Sequence, residues 1–335
     1  MNDTRVSVCL PNFNHSRYLP GAVAALLAQS HPPHEIIIVD DASSDDSVRV
    51  LKELSSRHPE IIFLQNDVNQ GCCRSTNRAI AASTGDYIFC TAADDLVLPG
   101  YFERTTAAMQ QHPAAGVCVT LVKYIDETGN EVKKAPKFGR AVPGASEGSA
   151  PRFLAPAEVM VQIHRRPWLL YGGPSPLFRR DTIVAAGGLR EELGPYTDWF
   201  NVHFAALRDG VVAVPEPLVA FRMGAGGFGD SAACSPLIAL GKLSQLLQLM
   251  RSEPFSRVFP LEFIVRKESD FLYYAFVGGL NVSHRGFKDA INQVAPPVSR
   301  WDRLLLAGFA LLYLASKAMV FLYSRGKVAP QIRWP

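Results

Sequence analysis

Residues 36–46 read Ile-Ile-Ile-Val-Asp-Asp-Ala-Ser-Ser-Asp-Asp. Four β-branched residues without polar alternation suit a strand covered on both faces, and the switch to acids marks where it ends. The same grammar recurs along the first hundred residues. Val6-Ser7-Val8-Cys9-Leu10 runs into Pro11-Asn12-Phe13-Asn14, Ile61-Ile62-Phe63-Leu64 ends near Asn66, and Tyr87-Ile88-Phe89-Cys90 precedes Ala93-Asp94-Asp95. Segments of helical period lie between them, at 19–29, 47–57, 75–83 and 101–111. The order is βαβαβαβα, the pattern of an α/β domain with a parallel sheet. Strand ends in such a sheet line one crevice, where ligands bind, so Asp40, Asp41, Asp94 and Asp95 are expected at one edge. Ser43 with Asp46 three residues on has the form of a capping box, with Asp in place of Glu or Gln, and is expected to open the second helix.

The chain has 335 residues, 48% of them hydrophobic and 19% charged, ample for a sizeable folded core. A net charge of +3, with no basic stripe interleaved with aromatics in the first 290 residues, argues against a nucleic-acid partner. Cys9, Cys72, Cys73, Cys90, Cys118 and Cys234 form no C-x-x-C pair. They read as reduced, packed thiols, the vicinal Cys72-Cys73 included. The first strand begins within five residues and nothing before it resembles a leader, so residence in the cytoplasm, at the inner face of a membrane, is expected.

The Pro11 motif, Val39-Asp40-Asp41-Ala42-Ser43 with Asp45, Gly71-Cys72-Cys73-Arg74-Ser75-Thr76-Asn77, and Gly85-Asp86-Tyr87-Ile88 leading to Asp94-Asp95 and Pro99-Gly100 follow one another in a familiar order. Together they resemble a family 2 glycosyltransferase of the GT-A fold, over roughly the first 110 residues and more loosely to Arg222. The fold class implied is α/β, of GT-A type: a mostly parallel, Rossmann-like sheet flanked by helices, with a C-terminal helical extension. The organisation implied is a GT-A domain over 1–225, divided into a nucleotide-sugar half (1–112) and an acceptor half (113–225), followed by a helical region over 226–335.

For the donor side the resemblance implies contacts from Pro11, Asn12, Asn14, Asp40, Asp41, Gly71, Arg74, Asn77 and Asp94. An Asp in a βα turn has an ordinary task, accepting backbone N–H groups at a helix start. One of the Asp40-Asp41 pair suffices for that, and the other is surplus, left to accept from a nucleotide; the resemblance assigns the pair to the base. Gly71, Arg74 and Asn77 have helix-start spacing, and a helix N-terminus favours a diphosphate. Asp94 and Asp95 suit Mg²⁺ or Mn²⁺, hard cations that take carboxylate oxygens and bridge to phosphates. The family's usual Asp-x-Asp-Asp carries Ala92 at its first acidic position here, which leaves the division of labour between Asp94 and Asp95 open.

In the acceptor half, Val117 to Tyr124 reads as a strand, 126–130 as a hairpin turn, and 136–151 as a Gly-, Pro- and Ala-rich loop that either covers the crevice or merely connects. A strand at 176–178, a helix from Asp181, a helix running to Arg208 and a strand at 211–214 follow, with Pro215-Glu216-Pro217-Leu218 beyond. The resemblance places the general base at Asp198, although Thr197 stands where an acid is usual. An acid opening a helix is also a common N-cap. His203, between Val202 and Phe204, reads as a packed residue rather than a ligand, and 224–229, with four glycines, reads as flexible.

Helical spacing returns at 236–250 and 258–280. Leu304 to Tyr323 is an apolar run broken by Ser316 and Lys317 and flanked by Trp301, Arg303, Arg325 and Lys327. A helix over 301–325 suits a membrane surface, a marginal span or an oligomer contact between copies of the chain; peripheral membrane attachment is the expectation. The reaction implied is inverting transfer from a nucleotide-diphosphate sugar to a saccharide, lipid-linked or protein acceptor. A catalytically silent nucleotide-sugar-binding or scaffold subunit is the alternative, because of Ala92 and Thr197. A dinucleotide-dependent dehydrogenase is disfavoured, since no G-x-G-x-x-G follows the first strand.

Overall fold

The computed structural model describes residues 4–132, 147–165, 173–224, 236–264 and 267. Four parallel strands form the first half of the sheet: β1 (Val6–Asn12), β2 (Glu35–Asp40), β3 (Ile61–Gln65) and β4 (Tyr87–Cys90), in spatial order β3-β2-β1-β4. The register sets Asn12 beside Asp40 and Cys9 beside Cys90. Helices α1 (Leu19–Leu27), α2 (Ser47–Arg57), α3 (Cys72–Ala82) and α4 (Tyr101–Gln111) occupy the segments in which helical period was read.

Beyond β4 the sheet is mixed. Among the described residues it adds β5 (Leu96–Val97), β6 (Val117–Ile125), β7 (Arg152–Leu154), β8 (Leu177–Arg179) and β9 (Val211–Arg222). The order continues β4-β8-β6-β9-β5, with β7 also on β9; β8 is antiparallel to β4 and β6, whereas β6 and β9 are parallel. Three elements went unread in the sequence. The strands β5 and β7 are too short for any periodicity, and α5 (Pro156–Arg165) follows a stretch read as loop. A strand ending at Val214 was also expected, but β9 continues through Pro215 and Pro217 to Arg222. Its register with β6 shifts on both sides of Leu121, where Thr120 faces Val214 and Leu121 faces Pro217. A bulge spares the ladder the N–H groups that proline lacks.

Alternation along the strands divides the layers. Val8, Leu10, Ile36, Ile38 and Phe89 pack with Leu19, Val23, Leu26, Tyr101 and Phe102 of α1 and α4 in one continuous core. Residues of the opposite parity, Cys9 and Cys90 among them, face the layer that holds α3. That layer also holds α6 (Arg180–Ala186) and α7 (Thr197–Asp209), which pack on each other, and α7 reaches β6. The helix α8 (Pro236–Arg251) packs against the 3₁₀ turn Glu191–Tyr196, and everything described up to Lys267 is one compact unit. Phe255 and Phe259 close over Phe200 and Phe204 of α7, and Phe263 packs on Phe259 and on His203 of the same helix, with neighbouring ring centroids 5.3–5.7 Å apart. This aromatic seal fixes the helix that carries Asp198.

No described helix is long and apolar enough to cross a membrane. The apolar run at 301–325, the glycine-rich stretch 225–229 and most of the loop at 136–151 lie outside the described residues.

Candidate functional site

The carboxyl ends of β1, β2 and β4 meet the starts of α3 and α7. Both carboxylates of the Asp40-Asp41 pair are engaged there, and neither is surplus. Asp40 is fully buried; its Oδ1 accepts from Asn12 Nδ2 at 2.8 Å and Ser43 Oγ at 2.6 Å, and its Oδ2 from Ser43 N at 3.0 Å. Asp41 reaches forward to the next crossover: Oδ1 accepts from Asn66 Nδ2 at 2.7 Å and Gln70 N at 2.9 Å, and Oδ2 from Gly71 N at 2.8 Å. Burial pushes its carboxyl up, but these donors outweigh burial and hold it below the usual range. A carboxylate has about four acceptor positions; the Ser75 side chain takes up the fourth of Asp41, and Asp40 keeps one.

The expected capping box is not formed. Ser43 bonds Asp40, and Asp46 precedes α2 without a side-chain cap. Asp45 does the work instead: Oδ1 accepts from Ser47 N and Oδ2 from Ser16 N, both at 2.9 Å. Burial raises the Asp45 carboxyl, yet those bonds bring it down to about 2. Asn14, at φ +55°, accepts on Oδ1 from Ser44 N at 2.8 Å, and its own N–H donates to Ser43 Oγ at 2.9 Å. Pro11 is half-buried opposite Val39. Asn12 keeps a buried Oδ1 without a partner. Phe13, absent from the residues singled out in the sequence, stands 45% exposed at this rim. An aromatic directly after a strand end is the signal that could have found it.

Gly71 opens α3 at φ +89°. The expected diphosphate contacts of this helix are differently employed. Arg74 Nε donates to Glu191 Oε2 at 2.8 Å, and Asn77 binds the Leu189 backbone at both ends of its amide. The two cysteines at the α3 start are thiols lifted by burial first, Cys72 to about 12 and Cys73 to about 11. The negative charges of both Asp198 and Asp41 act on Cys72, and that of Asp198 acts on Cys90. The charges of Asp41 and Asp198, from segments far apart in sequence, are thus both felt at Cys72.

Asp198 lies in the first turn of α7. Burial pushes its carboxyl up to about 6, against one backbone N–H bond from Gly173 that pulls it down. His203, one turn on, is fully buried; its Nδ1 lies 2.8 Å from the Trp199 carbonyl oxygen and its ring stacks on Trp199 at 3.9 Å.

The acidic turn after β4 is buried and held by Arg222, the last residue of β9. Arg222 N donates to Asp95 Oδ1 at 2.8 Å and Nε to the Asp94 carbonyl at 2.8 Å. Nη1 donates to the carbonyls of Asp126 and Glu127 at 2.8 and 3.1 Å, and the guanidinium lies 4.8 Å from the Tyr18 ring centroid. Burial, then the charge of Asp94, drives the Asp95 carboxyl well above its usual range. Among the described residues no group of three or more His, Cys, Asp or Glu side chains is arranged to hold a metal by itself. The acidic pair nevertheless fits Mg²⁺ or Mn²⁺, which take one or two carboxylates and complete their shell with water and substrate phosphate. Two desolvated acids side by side resist joint ionisation until a cation joins them.

Residues 7–155 match the sequence model of Glycosyl transferase family 2. An uncharacterised glycosyltransferase of Nostoc sp. is 36% identical over 113 residues, 34% of this chain and 35% of that protein. The chain spans less than half the length of three curated relatives it matches, 35, 45 and 47% of them. Among solved structures, TarS of S. aureus in complex with UDP-GlcNAc superposes with a TM-score of 0.67 at 16% identity, over 87% of this chain and 82% of that one. The mannosyltransferase PcManGT of Pyrobaculum calidifontis, in complex with GDP-Man and Mn²⁺, gives 0.56 at 16% identity, over 96% and 84%. Over residues 7–155 the chain is similar to glycosyl transferase family 2, and its fold is the GT-A fold of these neighbours.

Proposed function

We propose that the protein transfers a sugar from a nucleoside diphosphate to a hydroxyl of a saccharide, lipid-linked or protein acceptor, with inversion at the anomeric carbon. The observation that carries the reading is Asp198: a desolvated carboxyl lifted to about 6 that opens α7, its charge felt at Cys72 together with that of Asp41. At pH 7.5 such a group is ionised, and it is basic enough to take a proton in the transition state. The acceptor O–H gives its proton to Asp198 as the oxygen bonds the anomeric carbon. The bond from that carbon to the phosphate oxygen breaks, and the nucleoside diphosphate leaves with the electron pair.

Pro11, Asn12, Asn14, Asp40 and Asp41 form the nucleotide side, where the exposed face of Phe13 suits a base. Gly71 and Arg74 form its α3 edge, while the Asn77 amide is spent on Leu189. Asp94 and Asp95 would hold Mg²⁺ or Mn²⁺, which supplies charge stabilisation for the leaving diphosphate. Attachment to a membrane through 301–325 would bring a lipid-linked acceptor within reach.

Ala92 and Thr197, both at positions where the family carries acids, favour a second reading, a nucleotide-sugar-binding subunit without turnover. A panel of nucleotide sugars beginning with UDP-GlcNAc and GDP-Man, the donors bound by the neighbours, separates the two. Thermal stabilisation with Mn²⁺ and product formation abolished in Asp198→Ala support transfer. Stabilisation without transfer or donor hydrolysis, under every donor and acceptor, supports the silent subunit.

A further inference from the structure

The base helix and the donor helix are joined by a short path of hydrogen bonds through the connection 187–197. At one end Asn77 of α3 grips Leu189 twice, Nδ2 donating to its carbonyl at 2.7 Å and Oδ1 accepting from its N–H at 2.8 Å. At the other end the next residue, Arg190, donates its N–H to Thr197 Oγ1 at 2.6 Å. Thr197 is buried and directly precedes Asp198. The path also extends backwards, since Asp41 holds the α3 start through Gln70 N and Gly71 N.

Two local features show the path to be built. Gly188 sits at φ +68°, and a Cβ there would lie 2.3 Å from Asn77 Oδ1, so only glycine lets the amide dock. The hydroxyl of Thr197 accepts a backbone N–H that α7 itself does not satisfy; an acid at 197, the residue expected by resemblance, is therefore not required to complete this end. Around the path, Arg74 pairs with Glu191, and the Arg190 guanidinium stacks over Phe255 at 4.8 Å.

We propose that Asn77 and Thr197 are positioning residues, which fix the separation between the Asp198 carboxylate and the donor crevice and act on turnover through Asp198 rather than on donor binding. This rests on Asp198 being the base of a glycosyl transfer. Misplacing a base by about 1 Å costs on the order of 100-fold in rate, whereas donor affinity comes from groups anchored on β1, β2 and β4.

The test uses the full chain, with Thr197→Val, Thr197→Ser and Asn77→Leu, and reads kcat at saturating donor, Kd for UDP and GDP with Mn²⁺ by calorimetry, and the pH profile of kcat. Expected for Thr197→Val is a kcat about 10- to 100-fold lower, with nucleotide Kd within about twofold and near-normal kcat in Thr197→Ser, which restores the acceptor oxygen. Asn77→Leu, which cuts the path at its other end, carries the same expectation and decides the matter where Thr197→Val does not fold. Wild-type kcat in the Val and Leu variants overturns the proposal. So does a loss of nucleotide binding in step with kcat, which would make the path a general support of the fold. Failure of the base assignment is read separately, from wild type without transfer or from Asp198→Asn retaining it.

Discussion

Replacing Asp198 by Asn should make the protein more stable and inactive at once. The Asp198 carboxyl is raised from an ordinary 3.8 to about 6, chiefly by burial. Between those values the folded chain binds more protons than the unfolded one, so this acid's contribution falls as pH rises and its cost is complete above about 6. At about 1.36 kcal/mol per pH unit the cost reaches about 3 kcal/mol. Asp198 is only half-buried, so water screening reduces the expected gain to about 1–3 kcal/mol. Asparagine has no charge to desolvate and keeps an oxygen for the Gly173 N–H. Urea unfolding followed by tryptophan fluorescence should place Asp198→Asn above wild type by that amount at pH 8, with the difference fading towards pH 4. Transfer should fall by roughly 10³-fold or more at every pH, and wild-type kcat should climb as pH rises through about 6. An advantage that does not change with pH, or a variant less stable than wild type at pH 8, would refute the desolvation argument.

Asp94→Ala should abolish Mn²⁺-dependent stabilisation by nucleotide, read by thermal shift, while leaving the Tm of the unliganded protein within a few degrees. Gly188→Ala should cost roughly 1–3 kcal/mol in urea, from backbone strain at φ +68° and the clash with Asn77. Phe259→Ala, in the seal over α7, should cost about 3–5 kcal/mol; a loss under 1 kcal/mol would mean that the segment after α8 does not hold the base helix.

The parallel half of the sheet was legible because β1 and β2 are buried on both faces and the strands end in polar residues, a contrast visible within ten residues of sequence; β3 has the same apolar run but is the edge strand, with Ile62 exposed. β9 was cut short at Val214 because Pro215 and Pro217 read as a stop; the bulge that admits them depends on β6, nearly a hundred residues earlier. The acids at 40 and 41 could be listed from sequence but not assigned. Whether Asp41 caps its own helix or the next depends on Gln70 and Gly71 folding back on it, and Asn77, expected at a donor contact, is instead taken up by Leu189, far off in sequence. Asp198 was found only by resemblance, since an acid opening a helix is ordinary. Its unusual proton affinity comes from tertiary burial.

Arg222 grips the loops around the acidic turn almost wholly through carbonyl oxygens, those of Asp94, Asp126 and Glu127. A clamp that reads main chain is indifferent to which side chains those loops display. Glu127 can therefore be exchanged for other residues without releasing the turn that holds the acids.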